Sequence, residues 1–159
     1  MTVYYFDSSA VVKLYISEPG SQWIERIAQP QDTTTETENL LVFALVGIAE
    51  TAASIARHYR RGFLTRELRH KLYLQFMRDY PKRFTTLAIT DDIVLKAAGL
   101  TQEYVLRGYD AVHLASALSY DQLLKTEARE ALIFVTADEV LYQAAQAAGL
   151  LVDNPNQHS

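Results

Sequence analysis

The first indication of the fold comes from the residues Val3-Tyr4-Tyr5-Phe6-Asp7-Ser8-Ser9-Ala10-Val11-Val12. Its first four residues are β-branched or aromatic, which predicts a short buried strand at Val3–Phe6. Apolar residues then recur at helical spacing, which predicts a helix over residues 8–17. The chain therefore opens with a strand followed by a helix, and the carboxylate of Asp7 lies at their junction.

The rest of the chain repeats this alternation of strands and helices. Further strands are predicted at residues 40–43, 86–89, 131–135 and 150–152. Helices are predicted at residues 21–28, 44–61, 65–80, 90–106, 109–129 and 137–148, with breaks at Gly62, Pro81, Gly108 and Gly149. The polar run at residues 30–37 predicts a loop. Strands that alternate with helices predict an α/β fold around a mainly parallel central sheet.

Composition narrows the class of protein. A chain of 159 residues fits a single domain, and we expect residues 153–159 to form a short C-terminal tail. The absence of cysteine excludes disulfides and thiolate chemistry, so a metal ion would need oxygen or imidazole ligands. The N-terminus lacks the pattern of a secretion signal, and the longest apolar stretch is too short to cross a bilayer. We therefore expect a cytoplasmic protein without a membrane span.

Charge is distributed unevenly along the chain, although the net charge is only −4. Residues 57–83 carry nine basic side chains and two acidic ones, whereas the sequences on both sides are acidic. One interpretation is a surface that binds the phosphates of a nucleic acid. The alternative is a pair of helices whose lysines and arginines simply face solvent.

Three acidic residues occupy similar positions at predicted helix starts. Asp7 follows the first strand, Asp138 follows the strand at residues 131–135, and Asp110 opens a helix after Gly108. Loops after parallel strands share one edge of the sheet, so these carboxylates are expected to converge there. Converging carboxylates repel one another unless a cation neutralises them, and hard oxygen ligands favour Mg²⁺ or Mn²⁺.

Each of these acids also has a structural explanation. Aspartate is a common helix cap, and acidic residues in a first helical turn interact favourably with the helix dipole. Thr136 and Glu139 additionally have the spacing of a capping box around Asp138. Asp91 and Asp92 open a helix after an apolar strand as well, and spacing alone does not exclude them.

Glu50 lies a few residues inside the helix predicted at residues 44–61, away from its apolar stripe. Helical geometry places it on one face with Ser54, Arg57 and Arg61. This face is either plain solvent surface or a metal ligand beside arginines that bind phosphate. His113, three residues after Asp110, is either a general base or a histidine packed in the core.

The ordered set of these motifs resembles PIN-domain proteins of the VapC toxin type. The resemblance rests on the opening stretch followed by Ser-Glu-Pro-Gly-Ser, on Gly-Tyr-Asp-Ala-Val-His-Leu-Ala-Ser-Ala from Gly108, and on Phe-Val-Thr-Ala-Asp from Phe134. It implies a three-layer α/β/α domain that hydrolyses RNA with one or two Mg²⁺ or Mn²⁺ ions. It also implies a homodimer and a small VapB-like antitoxin partner that blocks the pocket.

The resemblance further implies which side chains form the site. Asp7, Glu50, Asp110 and Asp138 correspond to the four metal-binding acids, while Ser8 or Ser9 and Thr136 correspond to hydroxyl residues that orient them. We expect Arg57 and Arg61 to steer phosphate, an inference from charge and helical geometry.

Two other functions deserve comparison. A PIN-like module without catalysis would bind RNA or protein, but the presence of all four acids argues against it. A phosphatase with Asp7 as nucleophile usually needs a second aspartate two residues later, where this chain has Ser9.

Overall fold

Five parallel strands form the central sheet of this protein, whose structure, a computed structural model, describes residues 1–29 and 39–158. The strands are β1 (Val3–Phe6), β2 (Leu40–Ala44), β3 (Thr85–Leu87), β4 (Ile133–Val135) and β5 (Leu151–Asp153). Their order across the sheet is β3-β2-β1-β4-β5, and every neighbouring pair is parallel. The predicted α/β fold with a parallel sheet is confirmed. The loop predicted at residues 30–37 lies outside the described residues.

Helices cover both faces of the sheet. They are α1 (Ser8–Val11), α2 (Ser21–Ala28), α3 (Val46–Arg60), α4 (Arg66–Arg83), α5 (Asp91–Glu103), α6 (Gly108–Thr126) and α7 (Glu139–Ala147). Successive side chains of a strand point to opposite faces, so Phe43 packs with α1 to α4 whereas Val42 and Ala44 pack with α5 to α7. The three-layer α/β/α arrangement follows from these two cores. None of the helices in the two described stretches is long and apolar enough to cross a bilayer.

Two helix predictions were wrong at their C-terminal ends. The helix predicted at residues 8–17 is α-helical only through α1 and then tightens into a 3₁₀ helix at Val12–Leu14. Residues 10–13 are consecutive and all buried, which a straight helix with a single buried face does not allow. Pro81 does not stop α4, which continues to Arg83. A proline removes one amide donor and disfavours a helix interior, but only two residues of α4 follow Pro81, and the Phe84 amide still donates to the Tyr80 carbonyl at 3.1 Å.

Smaller boundary differences occur elsewhere. Gly108 is the first residue of α6 rather than a break before it, and α5 ends at Glu103 instead of near residue 106. Strand β3 begins at Thr85, one residue earlier than expected, in register with β2. These shifts leave the topology unchanged.

The strand order reverses its direction at β1. The chain builds β2 and β3 on one side of β1 and then returns to build β4 and β5 on the other side. In open parallel sheets such a switch point leaves a crevice at the carboxyl ends of the two central strands. Here the crevice lies beyond Phe6 and Val135, where Asp7 and Thr136 follow directly.

Candidate active site

The four predicted carboxylates line one cavity at this crevice. Its volume is about 680 Å³, and we call it the carboxylate cavity after Asp7, Glu50, Asp110 and Asp138. Each carboxylate comes from a different part of the fold. Asp7 follows β1, Glu50 lies in α3, Asp110 lies in the first turn of α6, and Asp138 caps α7. Residues far apart in sequence thus contribute to a single acidic surface.

Asp7 is the most buried of these carboxylates, with 4% of its surface exposed. Its Oδ1 accepts hydrogen bonds from Ser9 Oγ at 2.6 Å and from the Ala10 amide at 3.0 Å. Its Oδ2 accepts a hydrogen bond from Thr136 Oγ1 at 2.6 Å. Burial raises the pKa of Asp7, while nearby His113 and these hydrogen bonds oppose the rise. Burial therefore disfavours the ionised form of Asp7, and the three hydrogen bonds fix the orientation of its carboxyl group.

Two of the three predicted hydroxyl residues contact Asp7. Thr136 is fully buried, and its hydroxyl also accepts a hydrogen bond from the Asp138 amide at 3.1 Å. Ser9 Oγ accepts a further hydrogen bond from the Ala137 amide at 2.9 Å. Ser8 lines the same cavity. Ser9 and Thr136 therefore join the segment after β1 to the segment after β4.

The capping box predicted for Thr136 and Glu139 was wrong. Asp138 is itself the N-cap of α7, because its Oδ1 accepts a hydrogen bond from the Leu141 amide at 3.0 Å. Glu139 instead accepts a hydrogen bond from Gln143 Nε2 at 2.7 Å. A helix cap and a cavity carboxylate are thus the same side chain, since one oxygen caps the helix and the other faces the cavity.

Arg107 supplies a positive charge that the sequence did not single out. Its Nε lies 3.0 Å from Asp110 Oδ2, and its Nη2 lies 3.7 Å from Asp138 Oδ2. The side chain is 81% exposed and lies at the mouth of the cavity. One cation therefore spans two carboxylates, as expected where acids converge. The spacing of three between Arg107 and Asp110 was the available sequence signal.

Glu50 is bound from inside the protein by His113. His113 Nε2 forms a hydrogen bond with Glu50 Oε1, and His113 Nδ1 lies 2.8 Å from Tyr5 Oη. His113 is 1% exposed, whereas the Glu50 side chain is 24% exposed. Glu50 thus stands at the boundary between the core and the cavity. The expectation of a core histidine agrees with this burial, but the contact with Glu50 was not predicted.

Basic side chains lie at one side of the same cavity. Arg57 and Arg61 are exposed residues at the end of α3, and both line the cavity with Ser54. Asp91 and Asp92 are exposed in the first turn of α5 and are not among its lining residues. The cavity therefore combines carboxylates with arginines, and Asp91 and Asp92, which the sequence spacing did not exclude as site residues, do not line it.

The chemistry of these side chains fits a divalent cation. Carboxylate oxygens are the ligands that Mg²⁺ and Mn²⁺ prefer, and the guanidinium of Arg107 already stands as a cation between Asp110 and Asp138. Across residues 1–29 and 39–158, no three Asp, Glu or His side chains are arranged as a ready-made metal site. An ion would therefore exchange some of the present contacts for its own.

Comparisons with known proteins agree with the fold. The PIN domain profile matches residues 4–147. Ribonuclease VapC45 of Mycobacterium tuberculosis is 28% identical over 152 residues, which cover 96% of this chain and 95% of the relative. The resemblance to VapC proteins noted in the sequence is thereby confirmed.

Solved structures share the architecture at low sequence identity. VapBC2 from Rickettsia felis, bound to a DNA fragment from its promoter, has a TM-score of 0.61 at 11% identity and covers 96% of this chain and 98% of its own. The sarcin-ricin loop cleaving toxin VapC20 of Mycobacterium tuberculosis has a TM-score of 0.59 at 13% identity, with coverage of 94% and 97%. Because the family profile spans most of the chain and these structures share its fold, the chain belongs to the PIN domain family.

Proposed function

We propose that this protein is a metal-dependent endoribonuclease and the toxin of a VapBC-type toxin-antitoxin pair, acting in the cytoplasm. One observation carries the proposal: carboxylates from four separate elements line a cavity that also includes the exposed arginines Arg57 and Arg61. Carboxylates are preferred ligands of divalent cations such as Mg²⁺, and arginine guanidinium groups bind phosphate. The family and the VapC45 relative support RNA as the substrate.

Asp7, Glu50, Asp110 and Asp138 would hold one or two ions of Mg²⁺ or Mn²⁺. When bound, such an ion lowers the pKa of a water molecule and offsets negative charge on the leaving oxygen of the phosphodiester. Asp110 and Asp138 reach this role by releasing Arg107, whose guanidinium then becomes available to the RNA backbone. Loss of that contact is inexpensive, because ion pairs of an exposed arginine are weak.

The protein side chains would orient the acids and the substrate. Ser9 and Thr136 fix both oxygens of Asp7, so that this carboxylate needs no rearrangement when an ion binds. Arg57 and Arg61 bind phosphates of the RNA strand on the α3 side of the cavity.

A VapB-like antitoxin is the proposed protein partner, and a homodimer is the proposed toxin assembly. Support for the antitoxin comes from the VapC45 relative and from the fold shared with VapBC2. The homodimer is inferred from the family resemblance alone. A gene for a small DNA-binding protein directly upstream would support the pair. Copurification of its product with this chain, and loss of RNA cleavage in the complex, would test it.

The decisive experiment measures RNA cleavage with Mg²⁺ or Mn²⁺ and with a chelator. We expect cleavage by wild type only with the ion, and loss of cleavage in Asp7→Asn and Asp110→Asn. Asp91→Asn is the matched control, because Asp91 is an exposed acid at a helix start outside the cavity. Cleavage in the presence of chelator, or unchanged cleavage in both cavity variants, would refute the mechanism.

RNA binding is tested separately through its salt dependence. Joint replacement of Arg57 and Arg61 by alanine should weaken RNA binding. It should also flatten the slope of the logarithm of the association constant against the logarithm of the salt concentration by about 1.4, or about 0.7 per lost phosphate contact on a single strand. Replacing Arg66 and Arg78, which lie outside the cavity lining, should leave the slope nearly unchanged. Binding without any cleavage would favour the catalytically silent PIN-like module instead.

A further inference from the structure

We propose that His113, held by Tyr5, is a positioning residue that fixes the carboxylate of Glu50 at the wall of the carboxylate cavity. The inference deepens the proposed function, on which it rests, because it assigns a role to a buried side chain that does not itself face the substrate. His113 acts through Glu50 and is therefore distinct from the four carboxylates.

The contacts define an unbroken path from the sheet to the cavity. Tyr5 is fully buried in the middle of β1, and its ring stacks on Phe134 with centroids 5.2 Å apart and planes 7° apart. The Tyr5 hydroxyl lies 2.8 Å from His113 Nδ1, and His113 Nε2 hydrogen-bonds to Glu50 Oε1. A side chain fixed by the sheet thus sets the orientation of the imidazole ring, and the ring sets that of Glu50.

Helix α3 approaches closely enough for this contact because Gly47 lacks a side chain. A Cβ at Gly47 would lie 2.5 Å from Phe43 Cδ2 and 3.6 Å from His113 Cε1. Gly47 precedes Glu50 by three residues, so both lie on the same side of α3. The glycine therefore allows the helix to bring Glu50 within hydrogen-bonding distance of His113 Nε2.

The hydrogen-bond chemistry requires a proton on His113 Nε2. An ionised carboxylate only accepts hydrogen bonds, so Nε2 must donate to Glu50 whether the ring is neutral or charged. In the neutral ring, Nδ1 accepts from the Tyr5 hydroxyl, which satisfies every group. The opposite arrangement, with the proton on Nδ1 alone, would require Glu50 to be protonated and unsuited to an ion. One oxygen of Glu50 is thereby held, which leaves the other for the cavity.

The first test needs no variant. Nitrogen-15 NMR of the imidazole groups in the metal-free protein reports which ring nitrogens carry protons. We expect a proton on Nε2 of His113, in either the neutral or the charged ring. A proton on Nδ1 alone would overturn the proposal.

The second test measures affinity for Mn²⁺ alone. His113→Leu removes the donor and should weaken Mn²⁺ binding by about tenfold or more, as expected when a partner of a metal ligand is lost. His113→Gln retains an amide donor and should recover most of that affinity. Leu114→Ala is the packing control, since Leu114 is a fully buried neighbour in α6 that does not bond to Glu50. Equal losses in His113→Leu and Leu114→Ala, or no loss in His113→Leu, would overturn the proposal.

Cleavage kinetics then separate this inference from the proposed function. In His113→Leu with saturating Mn²⁺, kcat should fall while KM for RNA stays near the wild-type value, because His113 does not line the cavity. If wild type fails to cleave RNA but the Mn²⁺ affinities follow the expected order, the nuclease function fails and the positioning role stands. If wild type cleaves RNA and His113→Leu matches it in both measurements, the positioning role fails alone.

Discussion

Replacing Thr136 with valine removes the buried hydroxyl group that links Asp7 to Asp138 and preserves the shape of the side chain. The hydroxyl donates to Asp7 Oδ2 at 2.6 Å and accepts from the Asp138 amide at 3.1 Å. Thr136 is fully buried, so water does not replace either partner. The substitution therefore tests the link between two carboxylate segments without opening a cavity.

The expected cost follows from these two contacts. A hydrogen bond to a charged group contributes about 1.5–3 kcal/mol, and a buried amide without a partner costs about 1–3 kcal/mol. The two terms share one hydroxyl and are not additive, so we expect the free energy of unfolding to fall by about 2–4 kcal/mol. The hydroxyl also lowers the pKa of Asp7. The penalty should therefore shrink at low pH, where a protonated Asp7 no longer needs the donor.

Urea unfolding of the metal-free protein, followed by circular dichroism at neutral and acidic pH, measures this cost. Thr136→Ser is the matched control, because it keeps the hydroxyl and loses only a methyl group, worth about 1 kcal/mol. The assigned hydrogen bonds would be refuted if Thr136→Val lowered the free energy of unfolding by less than about 0.5 kcal/mol, which is below the smallest cost expected for losing them. A decrease no larger than that of Thr136→Ser would refute them as well.

Three further predictions concern the same site. Burial raises the pKa of Asp7 above its usual 3.8. Asp7 therefore contributes to the stability of the folded metal-free protein below that pH, and this contribution is lost as pH rises through the folded-state pKa. The unfolding free energy of wild type relative to Asp7→Asn should fall over that interval, and a rise would contradict the prediction. Arg107→Gln should tighten Mn²⁺ binding, measured calorimetrically, by less than about tenfold, because an exposed guanidinium competes only weakly; weaker binding would show that Arg107 assists the ion instead. Gly47→Ala should destabilise the protein by about 1–3 kcal/mol, because the added Cβ overpacks against Phe43. Gly99→Ala is the control: a Cβ there meets nothing within 4 Å and should stabilise helix α5 by about 1 kcal/mol. Similar shifts of the melting temperature in both variants would contradict the steric explanation.

Strands β1, β2 and β4 were predictable because they are local apolar runs. β1 and β2 are buried on both faces and carry almost no polar residue, which distinguishes them from the surrounding helices. Helix ends were less predictable because they depend on contacts with distant parts of the chain. Pro81 illustrates this, since its ring is tolerated in the last turn of α4. Local sequence fixes the type of an element more firmly than its boundary.

The acids after β1 and β4 were predictable for a similar reason. Asp7 follows β1 directly, Asp138 comes three residues after the end of β4, and parallel strands bring their carboxyl ends to one edge. Their alternative explanation as helix caps also holds, because Asp7 accepts from the Ala10 amide and Asp138 from the Leu141 amide. Capping and cavity lining are compatible, since a carboxylate has two oxygens and a cap uses one of them. Asp7 and Asp138 therefore each cap a helix and line the cavity at the same time.

Glu50 shows where reasoning from periodicity ends. Its position away from the apolar stripe of α3 indicated a solvent face, and the helical pattern of α6 indicated a core histidine at His113. Both interpretations treat each helix alone, whereas the contact between them joins residues 63 positions apart. Periodicity identifies a buried face by its apolar residues and carries no information about a polar pair that crosses from one helix to another. A buried histidine requires partners for both ring nitrogens, and that requirement is the physical signal that connects Tyr5, His113 and Glu50.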